Sequence, residues 1–149
     1  LLTEMAAHYA AKGMTVLDAL QALYEKYGCY GEKTYNLVMP GLDGLSDMAK
    51  LMKSLRETPP AEIAGVKVAQ FKDYSDGSVV DCATGAKSAM ELSGSNVLRF
   101  EMADGTSIIV RPSGTEPKIK VYILTKGDSF AQKDENLAKY GAWVDTLKK

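Results

Sequence analysis

The stretch Ser107-Ile108-Ile109-Val110, then Arg111-Pro112-Ser113-Gly114-Thr115-Glu116-Pro117-Lys118, then Ile119-Lys120-Val121-Tyr122-Ile123-Leu124 decides how this chain folds. The two outer runs are rich in β-branched residues and read as strands, while two prolines and a glycine stop either strand from continuing through the middle. The eight central residues are therefore a loop held by a sheet. Their side chains suit an anion with several oxygens, such as a phosphate monoester. Arg111 offers a planar fork of donors, Lys118 a compact charge, Ser113 and Thr115 hydroxyls, and Gly114 lets backbone N–H groups approach closely. Pro112 and Pro117 lower the cost of ordering the loop. Glu116 lies between the cations without a second carboxylate beside it, which supports no acid/base scheme; it is expected to orient Arg111 or Lys118. Lys120 shares a face with Lys118 if the strand has begun, and is given a secondary place.

Working outward, Val97 to Met102 and Thr106 to Val110 flank an Asp104-Gly105 hairpin turn. Val66 to Phe71 alternates as a strand with one wet face, and Glu32 to Met39 reads as another, ended by Pro40-Gly41. Asp43 or Ser46 caps a helix running to about Glu57, with Leu45, Met48, Ala49, Leu51, Met52 and Leu55 expected on its buried side. A final helix is expected from Ser129 to Lys149, with Phe130, Leu137, Tyr140, Val144 and Leu147 apolar and a lysine-rich end suited to the helix dipole. Residues 73–94 are rich in Asp, Ser and Gly; Val79-Val80 reads as a brief strand and Ser88 to Leu92 as a turn of helix. This order predicts an α+β domain over 32–149, a mostly antiparallel sheet with helices on one face.

Residues 1–31 read differently. Leu1 to Lys12 has helical spacing stopped by Gly13, and Thr15-Val16-Leu17-Asp18 resembles a capping box before a stripe of Val16, Leu17, Leu20, Leu23, Tyr24 and Tyr27. A short helical hairpin with a stripe and no sheet of its own reads as the end of a preceding domain. Gly28-Cys29-Tyr30-Gly31 is the expected hinge.

With 149 residues, 46% apolar, 25% charged and a net charge of −1, the chain is a globular domain of ordinary size, and the charge argues against nucleic acid as a partner. No apolar run approaches a membrane span, and the composition predicts a soluble chain. Cys29 and Cys82 lack metal-ligand spacing and read as free buried thiols, which points to the cytoplasm. His8 has no nucleophile marked out as its partner, and Asp73, Asp76 and Asp81 fit no calcium loop, so neither site residues nor a metal are assigned there. The chain opens Leu1-Leu2-Thr3 with no initiator methionine, as an excised piece would.

The octet Arg111–Lys118 resembles the phosphate-binding loop of the C-terminal domain of the α-D-phosphohexomutases, the phosphoglucomutase and phosphomannomutase family. Ser95-Asn96-Val97-Leu98-Arg99-Phe100, Asp104-Gly105 and Lys120-Val121-Tyr122-Ile123 are similar to its phosphoglucomutase branch; elsewhere the likeness lies in the order of elements. The resemblance implies a TATA-box-binding-protein-like fourth domain preceded by the last helices of a third. It implies that Arg111, Ser113, Gly114, Thr115 and Lys118 clamp the non-reacting phosphate of a phosphosugar while glucose 1-phosphate and glucose 6-phosphate interconvert. The phosphoserine, the magnesium loop and the sugar-reading loop of such enzymes belong to domains whose motifs are absent here. The resemblance therefore implies no catalytic residue or cofactor in this chain, no turnover by it alone, and the parent's remaining domains as partners. Other sugars, such as mannose or ribose phosphate, stay open, as do a non-enzymatic phosphate-binding regulatory module and a structural interaction domain.

Overall fold

The computed structural model describes residues 1–148. Its centre is an eight-stranded sheet in which every described pairing is antiparallel. The chain first forms α1 (Leu2–Ala10) and α2 (Val16–Tyr27), then β1 (Cys29–Val38), α3 (Gly44–Glu57), β2 (Glu62–Ile63), β3 (Val66–Asp73), β4 (Ser78–Asp81), β5 (Lys87–Ala89), β6 (Leu98–Met102), β7 (Ser107–Pro112), β8 (Lys118–Gly127) and α4 (Phe130–Thr146). Strand order across the sheet is β1-β8-β7-β6-β3-β4-β5, with β2 paired to β3 off this path. The expected α+β architecture is what the chain adopts.

One face of the sheet makes the core. Leu98 and Phe100 of β6, Ile108 and Val110 of β7, and Ile119, Val121 and Ile123 of β8 alternate inward and are fully buried. Met52 and Leu55 of α3 and Tyr140 and Val144 of α4 join the same cluster, so both helices lie on that face. A polar layer closes the core at the β6–β7 turn. The Thr106 and Thr125 hydroxyls share a hydrogen bond of 2.8 Å, Asn136 Nδ2 donates to Thr125 Oγ1 at 3.2 Å, and the Tyr140 hydroxyl donates to Asp104 Oδ2 at 2.6 Å. Paired in this way, the buried polar groups avoid the cost of desolvation without a partner. Arg56, in the last turn of α3, fastens that helix to β3 through Asp73 at 2.6 Å and to Asn96 at 2.8 Å.

The capping box forms in full, with the Asp18 N–H donating to the Thr15 hydroxyl at 3.1 Å and the Thr15 N–H donating to Asp18 at 2.7 Å. Several expectations need correction. β1 begins at Cys29, which faces Gly127 across the ladder, so residues 29–31 belong to the sheet and the bend narrows to Gly28, at φ +97°. Residues 87–89 are a strand paired with β4 where a helical turn was expected at 88–92. Leu45 and Ala49 of α3 are exposed; the buried stripe is centred on Met52 and Leu55. Cys29 is buried but Cys82 is exposed, and both are free thiols. α4 ends at Thr146 with no basic residue in its last turn, so Lys148 lies past the helix; Lys149 is outside the described residues.

Candidate phosphate-binding loop

β7 and β8 are the two arms of a hairpin in which Arg111 faces Lys120 and Pro112 faces Ile119. Since Val110 and Ile119 point into the core, the alternation sends Arg111 and Lys120 to the opposite, open face of the sheet. The loop between them folds back on itself. The Ser113 N–H donates to the Lys118 carbonyl at 2.9 Å, and the Lys118 N–H donates to the Glu116 carbonyl at 2.7 Å. The Ser113 hydroxyl accepts long bonds from the N–H groups of Thr115 at 3.4 Å and Glu116 at 3.3 Å. Its far end is tied to the residue just past β1, because the Met39 N–H donates to the Pro117 carbonyl at 2.8 Å.

A cavity of about 260 Å³ opens within this loop, lined by Arg111, Pro112, Ser113, Gly114, Thr115 and Lys120. Four of the five residues singled out from the sequence therefore line one space. Lys118 does not. Its ammonium is ion-paired with the Glu116 carboxylate, and the cavity's second cation is Lys120. The reason is local. Lys118 closes the tight turn that begins at Glu116, so the carboxylate is its nearest counter-charge, whereas Lys120 stands on the ladder directly across from Arg111. That hydrogen bond and charge of Lys118 hold the Glu116 carboxyl below its ordinary pKa, with a further lowering contribution from Lys120. Gly114 has no positive φ, and a methyl added there would meet no atom within 4 Å.

Glu116 thus pairs with Lys118, one of the two cations expected for it. Lys120, given a secondary place in the sequence reading, is the cation that lines the cavity beside Arg111. The signal was present in the count along the hairpin, because a strand that buries Ile119 and Val121 must send Lys120 outward beside Arg111.

The open face carries more charge beyond the loop. Glu101 of β6 accepts from Lys72 at 3.1 Å, its Oε1 lies 2.8 Å from Arg99 Nε, and the Ser107 hydroxyl bonds both Glu101 and Arg99. Partial burial works to raise the Glu101 pKa, but the Ser107 and Lys72 hydrogen bonds and the charges of Arg99 and Lys72 outweigh it and the net shift is downward. These groups engage one another by charge and hydrogen bonds, although Arg99 Nε is buried without a hydrogen-bond partner. At the far end of the same face a larger cavity, about 590 Å³, lies between Tyr24 of α2 and Tyr30, Glu32, Leu124 and Lys126 of the sheet. Its lining includes one cation, Lys126, and one carboxylate, Glu32, and has no run of donors comparable to 111–115.

His8 lies exposed on α1 against the Tyr9 ring. Asp76 and Asp81 accept backbone N–H groups in their own turns, and Asp73 is taken by Arg56 and Ser75. Among the described residues no group of three or more His, Cys, Asp or Glu side chains is placed to hold a metal ion. No described helix is long and apolar enough to cross a membrane.

The sequence model described as phosphoglucomutase/phosphomannomutase, C-terminal domain, matches residues 43–134. A phosphoglucomutase of Staphylococcus aureus (strain bovine RF122 / ET3-1) is 34% identical over 130 residues, 87% of this chain and 23% of that protein. A probable phosphomannomutase of Haemophilus influenzae is 36% identical over 133 residues, 89% of this chain and 24% of that protein. The chain thus spans about a quarter of the length of these relatives. Among solved structures, the open form of pp63/parafusin, a phosphoglucomutase from Paramecium, aligns with a TM-score of 0.48 at 18% identity over 97% of this chain and 24% of its own.

Proposed function

From the premise that this chain belongs to the phosphoglucomutase/phosphomannomutase family, as its C-terminal domain, we propose that it holds the non-reacting phosphate of a phosphosugar while the transfer chemistry proceeds on other domains of a longer parent. The observation that carries this reading is the cavity on the open face, where Arg111, Lys120, Ser113 and Thr115 surround one space beside a bare Gly114. A phosphate dianion entering it meets the Arg111 fork with two oxygens, the Lys120 ammonium as a point charge, and the Thr115 hydroxyl as a donor. Held by its far end, the sugar presents the other end to a reacting centre, and such positioning accounts for much of a phosphoryl-transfer barrier.

Glucose 1-phosphate and glucose 6-phosphate are the proposed substrates, in keeping with the phosphoglucomutase likeness. Mannose phosphates are the second reading, favoured by the likeness to a probable phosphomannomutase. Magnesium and a phosphoserine are proposed for the parent's other domains; among the described residues of this chain no ligand set for a metal gathers. The remaining domains are its proposed partners and the cytoplasm its setting, a reading supported by two free cysteines. Calorimetric titration tests the proposal. Glucose 1-phosphate is expected to bind saturably and glucose to give no heat; equal signals from both would remove the phosphate from the account.

A further inference from the structure

We propose that Glu116 is an internal stand-in for the ligand's negative charge, which holds Lys118 out of the cavity until a phosphate displaces it. This rests on the phosphate-binding reading of the loop and adds a control element to the same site. Three groups that an anion there would recruit are already engaged by the loop's own acceptors. The Thr115 and Glu116 N–H groups point to the Ser113 hydroxyl at 3.4 and 3.3 Å, and the Lys118 ammonium is paired with the Glu116 carboxylate. The acceptors are poorly matched to their donors in one case and exposed in the other. N–H bonds of that length are near the outer limit of hydrogen-bond geometry, and the Glu116 side chain is 58% exposed. Both are contacts that a compact dianion outcompetes.

Lys118 has a place to go. It stands two residues before Lys120 on β8, so their side chains leave the same side of the strand. The Lys118 side chain is itself only 26% exposed, and in the proposed exchange its outer bonds rotate to turn the ammonium from Glu116 toward the cavity. In the exchange Lys118 leaves Glu116 for the phosphate, Glu116 turns to water, and the site gains a third cation beside Arg111 and Lys120. The exchange weakens intrinsic affinity, because the ligand must displace an acceptor already in place. It also keeps the free loop from presenting three unopposed positive charges to one another.

The sign of one substitution decides the matter. Phosphorus NMR titration of inorganic phosphate against the full chain is expected to show Glu116→Gln binding about two- to fivefold more tightly than the parent, the range an exposed ion pair supports. Lys118→Met is expected to bind more weakly, and the gain from Glu116→Gln is expected to vanish in the Lys118→Met background. Unchanged or weaker binding by Glu116→Gln overturns the proposal, and so does a gain that persists without Lys118, since that would be a general charge effect. Arg111→Met separates the two levels. If it binds phosphate as the parent does, or if the parent binds none, the phosphate-site reading itself fails; if it loses binding while Glu116→Gln shows no gain, only the role of Glu116 fails.

Discussion

The two faces of this sheet are made by the same strands and do opposite work. On the core face Leu98, Phe100, Ile108, Val110, Ile119, Val121 and Ile123 are fully buried under α3 and α4. On the open face their immediate neighbours include the charged Arg99, Glu101, Arg111, Lys118 and Lys120 beside Ile109 and Tyr122. A one-residue slip of β8 would exchange the two sets. The core face therefore fixes the register, and the register aims the cations. Stability and binding should accordingly respond to different substitutions, even at adjacent positions.

The largest effect expected from breaking the core face is at Phe100, which contacts Phe71 and Trp143 at ring-centroid distances of 5.2 and 6.5 Å. Phe100→Ala should cost about 3–5 kcal/mol of unfolding free energy, measured by denaturant titration, as cavity-forming truncations do. Next comes overpacking. A methyl on Gly141 of α4 would lie 2.0 Å from the Tyr35 hydroxyl, so Gly141→Ala should cost about 1–3 kcal/mol, with part of the loss restored when Tyr35→Ala is added. A substitution on the open face tests the other half of the comparison. Arg111→Met should leave the unfolding midpoint in place and remove about 1.5–3 kcal/mol of glucose 1-phosphate binding, a loss of roughly ten- to hundredfold by calorimetry.

Smaller effects sharpen the boundary between the faces. Asp104 lies at the hairpin between them. Partial burial works to raise its pKa, but the Tyr140 hydroxyl, the Thr106 N–H and the Lys139 ammonium outweigh it, and the carboxyl sits below its ordinary value. The same contact and partial burial raise the Tyr140 pKa. A carboxyl with a lowered folded pKa stabilises fully above its unfolded value of about 3.9 and loses that contribution as pH falls through the folded value. Asp104→Asn should therefore flatten the acid limb of stability below about pH 4 in pH-dependent unfolding. Smallest is Thr15→Ala, which removes a cap worth about 0.5–2 kcal/mol to α2. Because Ala19 is the only buried residue described in that helix, amide exchange should quicken across its first turns while the global midpoint holds.

What could be read from the sequence follows the same division. Alternation in β6 and β-branched runs in β7 and β8 made those strands visible, and Thr15 to Asp18 announced α2, because each signal is local. β5 gave no such signal: Lys87, Ser88 and Ala89 are all exposed, and their strand conformation comes from pairing with β4. The amphipathic stripe of α2 identified a helix but not its cover. Leu17, Leu20 and Leu23 are 75%, 42% and 49% exposed, whereas Tyr140 and Val144 of α4 are fully buried. In the loop, residue types picked out the stretch, yet Lys118 and Lys120 are indistinguishable until the hairpin register places one by Glu116 and the other by Arg111.

The central claim is that the open face of β7 and β8 receives the phosphate, and amide NMR of the labelled chain tests it most directly. On addition of glucose 1-phosphate, saturable shifts are predicted for residues 111–120, with the core strands beneath them unmoved and the whole response abolished in Arg111→Met. Shifts centred instead on the cavity between Tyr24 and Tyr30, or an undiminished response in Arg111→Met, would contradict it.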